Sequence, residues 1–326
     1  MSRHDCAECG AISIEFYQLL SQLNGALKTQ ETEVAENSQL PIVGAATYSW
    51  RFAIGAFLTT LPAYMVRAIV TGAVSAAAVS GMAGGVLPLD FLGQVLALLV
   101  TVSCLGMTIR LAMTGEMKGL TGLKFDMEET RLLFANLIFI AVAFFLAFVA
   151  VILASIVMGI LIAMIVPDLE AIAQNQRAAE EFLTEFFATP AGIVILILMF
   201  LMVGFPLLYI SARLVNFPAA TIARQKMMIF ETWDWTKDQV WRVIGAIVLA
   251  MAPVVLISFL GVWVASALTG LPVPGDAGAL AATSPFAAFA FGVITGLFSI
   301  PSQLVGAALA VFMYRGFEPD RRTEQF

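Results

Sequence analysis

The chain has 326 residues, 60% hydrophobic and 12% charged, with a net charge of -6. A soluble globular chain carries about 25% charged residues, and an acidic balance offers no basic face for nucleic acid. The apolar residues form continuous blocks long enough to cross a bilayer, about 20 residues per helix. That pattern excludes a soluble core and the alternating strands of a membrane barrel.

The first ten residues, MSRHDCAECG, are polar, and no short apolar run follows them. A cleavable signal peptide is therefore not expected. Cys6 and Cys9 form a C-x-x-C beside His4. That is at most half a metal site, and no second ligand pair exists, so no metal is expected. Residues 11 to 28 carry Ile12, Phe16, Leu19, Leu20, Leu23 and Leu27 on one helical face, the mark of a short amphipathic helix. An acidic linker with Glu31, Glu33 and Glu36 ends at Pro41.

Six spans follow. The first begins at Trp50-Arg51, runs past Pro62 and is interrupted by Arg67. After small residues around Gly81, Gly84 and Gly85, the second runs from Leu87 to Ile109 and ends at Arg110. Residues 111 to 125 read as a polar elbow with Lys118 and Lys124. Asp126-x-x-Glu129 reads as a capping box opening the third span. Leu132 to Val166 is 35 residues without a charge. At 1.5 Å per residue it exceeds about 30 Å of hydrocarbon, so it must tilt, bend or project. Residues 168 to 187 are acidic but amphipathic, and the fourth span is Ala191 to Ile210.

A second elbow starts at Asn216-Phe217-Pro218, and Thr236-x-x-Gln239 reads as another capping box. The fifth span runs from Val243 to Leu268. A Gly/Pro loop precedes the sixth, Phe286 to Tyr314, and a polar tail begins at Arg315.

The charges orient these spans. With a cytoplasmic amino terminus, 15 of the 17 Lys and Arg residues fall on the inside and only Arg67 and Arg177 do not. That asymmetry predicts cytoplasmic termini in a bacterial inner membrane. Trp50, Arg51, Trp233, Trp235, Trp241 and Arg242 are the expected anchors at the inner boundary. The predicted fold is all-α and polytopic: three helical hairpins joined by cytoplasmic amphipathic elbows. Residues 1–45 form an amino-terminal segment, 46–316 the membrane domain and 317–326 a tail. Arg67 and Asp90, each far up its own helix of one hairpin, are expected to pair, because a lone charge at that depth is costly.

WRFAIGAFLTTLP from Trp50 and WRVIGAIVLAMAP from Trp241 are both 13 residues, begin W-R and end in Pro. The simplest reading is an internal repeat. The run Ala212 to Pro253 also carries a resemblance. Arg213-Leu214, Pro218-Ala219, Trp235-Thr236-Lys237 and Trp241-Arg242 resemble the six-helix membrane domain found beside bacterial glycerophosphodiester phosphodiesterases, and related stand-alone bacterial membrane proteins. The likeness covers about 40 residues closely and the rest only in architecture. It departs at Asp238, where that family often has Gly, and in the acidic amino-terminal extension. It implies a fold and a membrane setting and no catalytic residues, because the catalytic barrel has no room here.

No clustered acid, base, nucleophile or ligand set appears, so neither an enzyme nor a cofactor is expected. Asp234 and Asp238 lie close together at the predicted membrane surface, where helix capping accounts for them. Within the spans, Pro301 breaks the sixth helix between Ser299, Ser302 and Gln303, while Gly292-x-x-x-Gly296 marks close packing. These residues, with Gln94 and Asn136 as polar neighbours, outline an expected cavity for an amphiphile. The expected role is to hold or assist a lipid, an amphiphile or a membrane protein partner. The alternatives are a small transporter or channel, and a membrane-embedded lipid enzyme.

Overall fold

The computed structural model describes residues 40–84, 87–117, 122, 123, 125–165, 185–271 and 284–318, with the side chains of 81–84, 87–90 and 165 excepted. The expected amino-terminal helix, the Cys6/Cys9 pair with His4, Lys118 and Lys124, and most of the 168–187 segment lie outside the described residues.

The described residues contain no strand. The helices are α1 (Ile42–Gly84), α2 (Leu87–Thr114), α3 (Met127–Ile165), α4 (Pro190–Arg213) and the short α5 (Phe217–Arg224). A 3-10 turn over Glu231–Thr236 leads to α6 (Val240–Thr269), α7 (Pro285–Phe298) and α8 (Ile300–Phe317). Among the described residues six spans are long and apolar enough to cross a membrane, with α7 and α8 counted as one. Such blocks fold as helices because only a helix satisfies every backbone N–H and C=O within itself in lipid.

Local chemistry sets the ends. The Asp126 carboxylate accepts from Glu128 N at 2.9 Å, and the Glu129 carboxylate accepts from Asp126 N at 3.1 Å, so the first capping box forms as expected. The second does not. Helix α6 starts only at Val240, with Gln239 at its cap position and making no side-chain cap. Thr236 instead closes the 3-10 turn onto Trp233 O at 3.4 Å, and the Gln239 side-chain amide oxygen Oε1 accepts from Leu40 N at 2.7 Å. A tertiary donor, the Leu40 N–H, captured the glutamine that a local cap would have used. Ser284 caps α7 through Ala287 N, with Pro285 following it. Gly270, at φ +71, ends α6.

The chain divides into two compact units. One contains residues to Asn136 and from Leu214 onward. In it α1 is the central helix, packing against α2, α6, α7 and α8, while α5 packs against α2 and α8. The other unit, Leu137–Arg213, holds most of α3 and all of α4. Among its described residues Ile162, Phe186 and Ile195 form a buried cluster, with Met158, Leu161 and Phe187 against them. Elsewhere these two helices are nearly bare: 6% of the most apolar stretch of each is buried, against 61% for α7–α8. Exposed Phe144, Phe145, Phe148 and Phe200 are what a helix surrounded by hydrocarbon carries.

Candidate functional site: an arginine at the break of the last span

Small residues decide how closely α1 and α7 approach. A Cβ on Gly292 would lie 2.6 Å from Ser75 Oγ and 2.8 Å from Gly72 Cα. One on Gly72 would lie 2.7 Å from the Phe289 carbonyl oxygen, and one on Gly296 would lie 2.9 Å from Ala68 Cα. The Gly292-x-x-x-Gly296 face is thus filled by the Ala68–Gly72 face of α1, backbone on backbone. The expected groove beside these glycines is occupied by the first span.

One turn further along, α7 ends at Phe298, Ser299 sits in a turn, and α8 begins at Ile300 with Pro301 in its first turn. Pro301 has no N–H to donate and its ring crowds the preceding turn. Ser299 Oγ donates to Gly296 O at 2.7 Å, and Ser302 Oγ donates to Ser299 O at 2.7 Å. The hydroxyls around the proline thus add bonds to carbonyls of the same turn, and the Ser299 carbonyl also accepts from Gln303 N at 3.4 Å.

Arg67 of α1 meets this break. Its Nη1 donates to Ser299 Oγ at 3.0 Å, and its Nε donates to Thr101 Oγ1 of α2 at 3.2 Å. The guanidinium therefore ties α1, α2 and the α7–α8 turn together. Among the described residues it touches hydroxyls and no carboxylate. The expected partner, Asp90, has its side chain outside the described residues. On α2, Thr101 is 11 positions beyond Asp90, about 16 Å along the helix.

The depth of Arg67 follows from helical rise. The bonded residues lie about 24 Å from Arg51 on α1, 14 Å from Arg110 on α2 and 24 Å from Arg315 on α8. In the other direction each helix continues for about 21 Å or more. The charge sits within the apolar length of all three helices. Next to it Tyr64 OH donates to Thr108 Oγ1 at 2.8 Å, Thr108 donates to Cys104 O at 2.8 Å, and Cys104 Sγ donates to Ala63 O at 3.7 Å. A polar seam thus runs along α1 and α2 from Arg67 toward their charged ends. Sequence reading missed it, because a lone Thr, Tyr or Cys in an apolar span carries no spacing signal until a partner helix is placed.

The remaining expected cavity residues do not join it. Gln94 is exposed on α2. Asn136 Nδ2 donates to Leu132 O of its own helix at 2.9 Å, the local bond that short polar side chains make in apolar helices. Gln303 is partly buried in α8, its backbone N–H reaching Ser299 O at 3.4 Å.

The expected anchors collect at the opposite, charged end of the first unit but play different parts. Trp50 Nε1 donates to Ala250 O of α6 at 2.9 Å, so it binds two helices together. Trp241, at the equivalent place in the repeated motif, is 69% exposed. Arg51 is exposed and Trp233 is partly buried. Arg242 Nη1 donates to Leu40 O at 3.2 Å. Trp235 lies under the Arg224 guanidinium at 5.3 Å and beside the Tyr314 ring at 6.1 Å. Arg224 pairs with Glu318 at 3.5 Å, and Arg315 Nη2 donates to Met113 O at 2.9 Å. Glu129, fully buried, pairs with Arg110, which also reaches Glu128 at 3.3 Å. In the second elbow Phe217, Ile222 and Met228 are buried, while Met227 and Phe230 are exposed. These contacts are cross-links between helix ends. Among the described residues no three metal-ligating side chains come together.

No family model, no curated protein and no solved structure matches the chain.

Proposed function

We propose that this is a non-enzymatic multi-pass protein of a bacterial inner membrane, with both termini cytoplasmic, that holds an anionic amphiphile. The observation that carries the reading is Arg67, a cation within the apolar length of three helices whose partners among the described residues are two hydroxyls. Inserting an arginine into a span is costly, up to about 2.5–3.5 kcal/mol at the helix centre on the mildest scale. Two hydroxyl bonds orient the guanidinium but bring no negative charge, so an anionic headgroup or carboxylate complements it. Ser299 and Thr101 set the direction from which that group arrives.

The test is lipid retention. Full-length protein extracted in mild detergent and analysed by native mass spectrometry should carry an anionic phospholipid in preference to a zwitterionic one. Arg67→Leu should lose that preference, and Arg67→Lys should keep part of it. Unchanged retention in Arg67→Leu refutes the reading.

One observation favours a second reading, a carrier of organic anions. The cation sits at a helix break, and broken helices with polar groups at mid-membrane mark transport sites. Uptake of a labelled organic anion into vesicles containing the wild type but not Arg67→Leu would decide for the carrier.

A further inference from the structure

The residue that Arg67 grips opens a polar side of α8. At about 100° per residue, positions 299, 302, 303 and 306 fall within an arc of about 100°. Ser299, Ser302, Gln303 and Gly306 are all partly exposed, whereas Leu304, Val305 and Ala308 on the other side are buried. Further along the same arc Ala310 and Met313 are buried, so this side closes toward the charged end of the helix. A Cβ on Gly306 would meet nothing within 4 Å. The glycine thus leaves a notch beside Ser302 and Gln303. Gln303 is about 18 Å from Arg315 along α8, within the apolar length of the span. Its side-chain amide makes no hydrogen bond among the described residues. Asn136, also in an apolar span, bonds a carbonyl of its own helix instead. An amide without partners is costly in hydrocarbon, so Gln303 calls for a polar guest.

We propose that Gln303 reads a hydroxyl on the anion held by Arg67, and that the notch at Gly306 makes room for the chain carrying it. The proposal rests on the reading of Arg67 as an anion site and names the class of anion. Gln303 offers an acceptor, Oε1, and two donors on Nε2. Ser302 Oγ donates to Ser299 O and keeps lone pairs to accept with. A hydroxyl both donates and accepts, so one such group serves the amide oxygen and the amide N–H together. A phosphate or carboxylate oxygen only accepts and leaves Oε1 unserved. An ammonium group only donates and brings a like charge beside the guanidinium, which disfavours it. Gln303 lies about 6 Å beyond Ser299 along α8, the reach of a few carbons. The guest is therefore an anion joined by a short chain to a hydroxyl. The glycerol phosphate headgroup of a lipid has this chemistry, and so does free glycerol phosphate.

Competitive lipid retention tests it. Full-length protein in mild detergent is given equal amounts of phosphatidylglycerol, phosphatidylmethanol and phosphatidylcholine with chains of distinguishable mass, and the retained lipid is read by native mass spectrometry. Phosphatidylmethanol has the charge of phosphatidylglycerol without its hydroxyls. The wild type should retain phosphatidylglycerol about 2–10-fold over phosphatidylmethanol, the worth of one net hydrogen bond. Gln303→Leu should bring that ratio to about one while both anionic lipids still exceed phosphatidylcholine. Gly306→Leu, which fills the notch and leaves the amide in place, should lower the same ratio. Added glycerol phosphate that displaces phosphatidylglycerol assigns the site to a free anion, and failure to displace it assigns the site to the lipid; either result keeps the hydroxyl reading. Equal retention of the two anionic lipids by the wild type, or an unchanged ratio in Gln303→Leu, overturns the proposal and leaves the Arg67 reading standing. No preference for either anionic lipid over phosphatidylcholine overturns both.

Discussion

Glu129 shows what a single buried charge demands. It has no solvent exposure, and its carboxylate is divided between the Asp126 backbone N–H and Arg110. The same residue thus caps α3 and joins α3 to α2. Gly106 lies beside it, and a Cβ there would make ordinary contact with the Glu129 carboxylate at 3.4 Å. Removing Arg110 leaves a buried carboxylate uncompensated. Arg110→Leu is expected to destabilise by about 3–5 kcal/mol, whereas Arg110→Leu with Glu129→Leu recovers most of that loss. Thermal unfolding of the three proteins in one detergent checks this. A double variant no more stable than Arg110→Leu alone would show that the pair itself, and not the stranded charge, carries the energy.

At the scale of helices, the first span is the element the first unit is built around. Its small face, Ala68 and Gly72, meets Gly292 and Gly296 of α7. Trp50 reaches α6, and Arg67 reaches α2 and the α7–α8 turn. In lipid no hydrophobic gain drives helices together, so closeness of approach and interhelical hydrogen bonds decide which pairs form. Gly292→Ala therefore forces α1 and α7 apart and is expected to cost about 1–3 kcal/mol, as overpacking does. Gly306→Ala, on α8 with open space around it, is expected to stabilise by about 0.5–1 kcal/mol through helix propensity alone. Midpoints of thermal unfolding shifting in opposite directions would confirm the contrast, and a shared direction would refute it.

For the molecule as a whole, the contacts of the first unit bring the starts of α1, α3 and α6 and the ends of α2 and α8 to one charged end. Leu40 meets Arg242, Arg315 meets Met113 and Glu129 meets Arg110. The excess of Lys and Arg on the segments at this end supports the proposal that it faces the cytoplasm. Reporter fusions at Gly84 and Asn175 are both expected to read as periplasmic. A cytoplasmic reading at either position would break the six-span topology.

The number of spans was legible in the sequence, because lipid accepts only long apolar helices and their ends carry caps, prolines and glycines with local rules. Helix α4 was expected over Ala191 to Ile210 and runs from Pro190 to Arg213, and the Asp126 box formed as read. The break at Pro301 was equally local, since the missing N–H belongs to the residue itself. Which polar residues share a site was decided only by tertiary structure. Arg67, Thr101 and Ser299 are 34 and 232 positions apart along the chain in their bonded pairs, and nothing in their flanking sequence encodes that meeting. Gln94 and Asn136 were equally polar and equally placed in apolar spans, yet one is exposed and the other bonds its own helix. An apolar span presents a nearly uniform surface along its length. The face it turns to a neighbour is set by a few glycines and hydrogen bonds whose partners lie on other helices, and only packing reveals them.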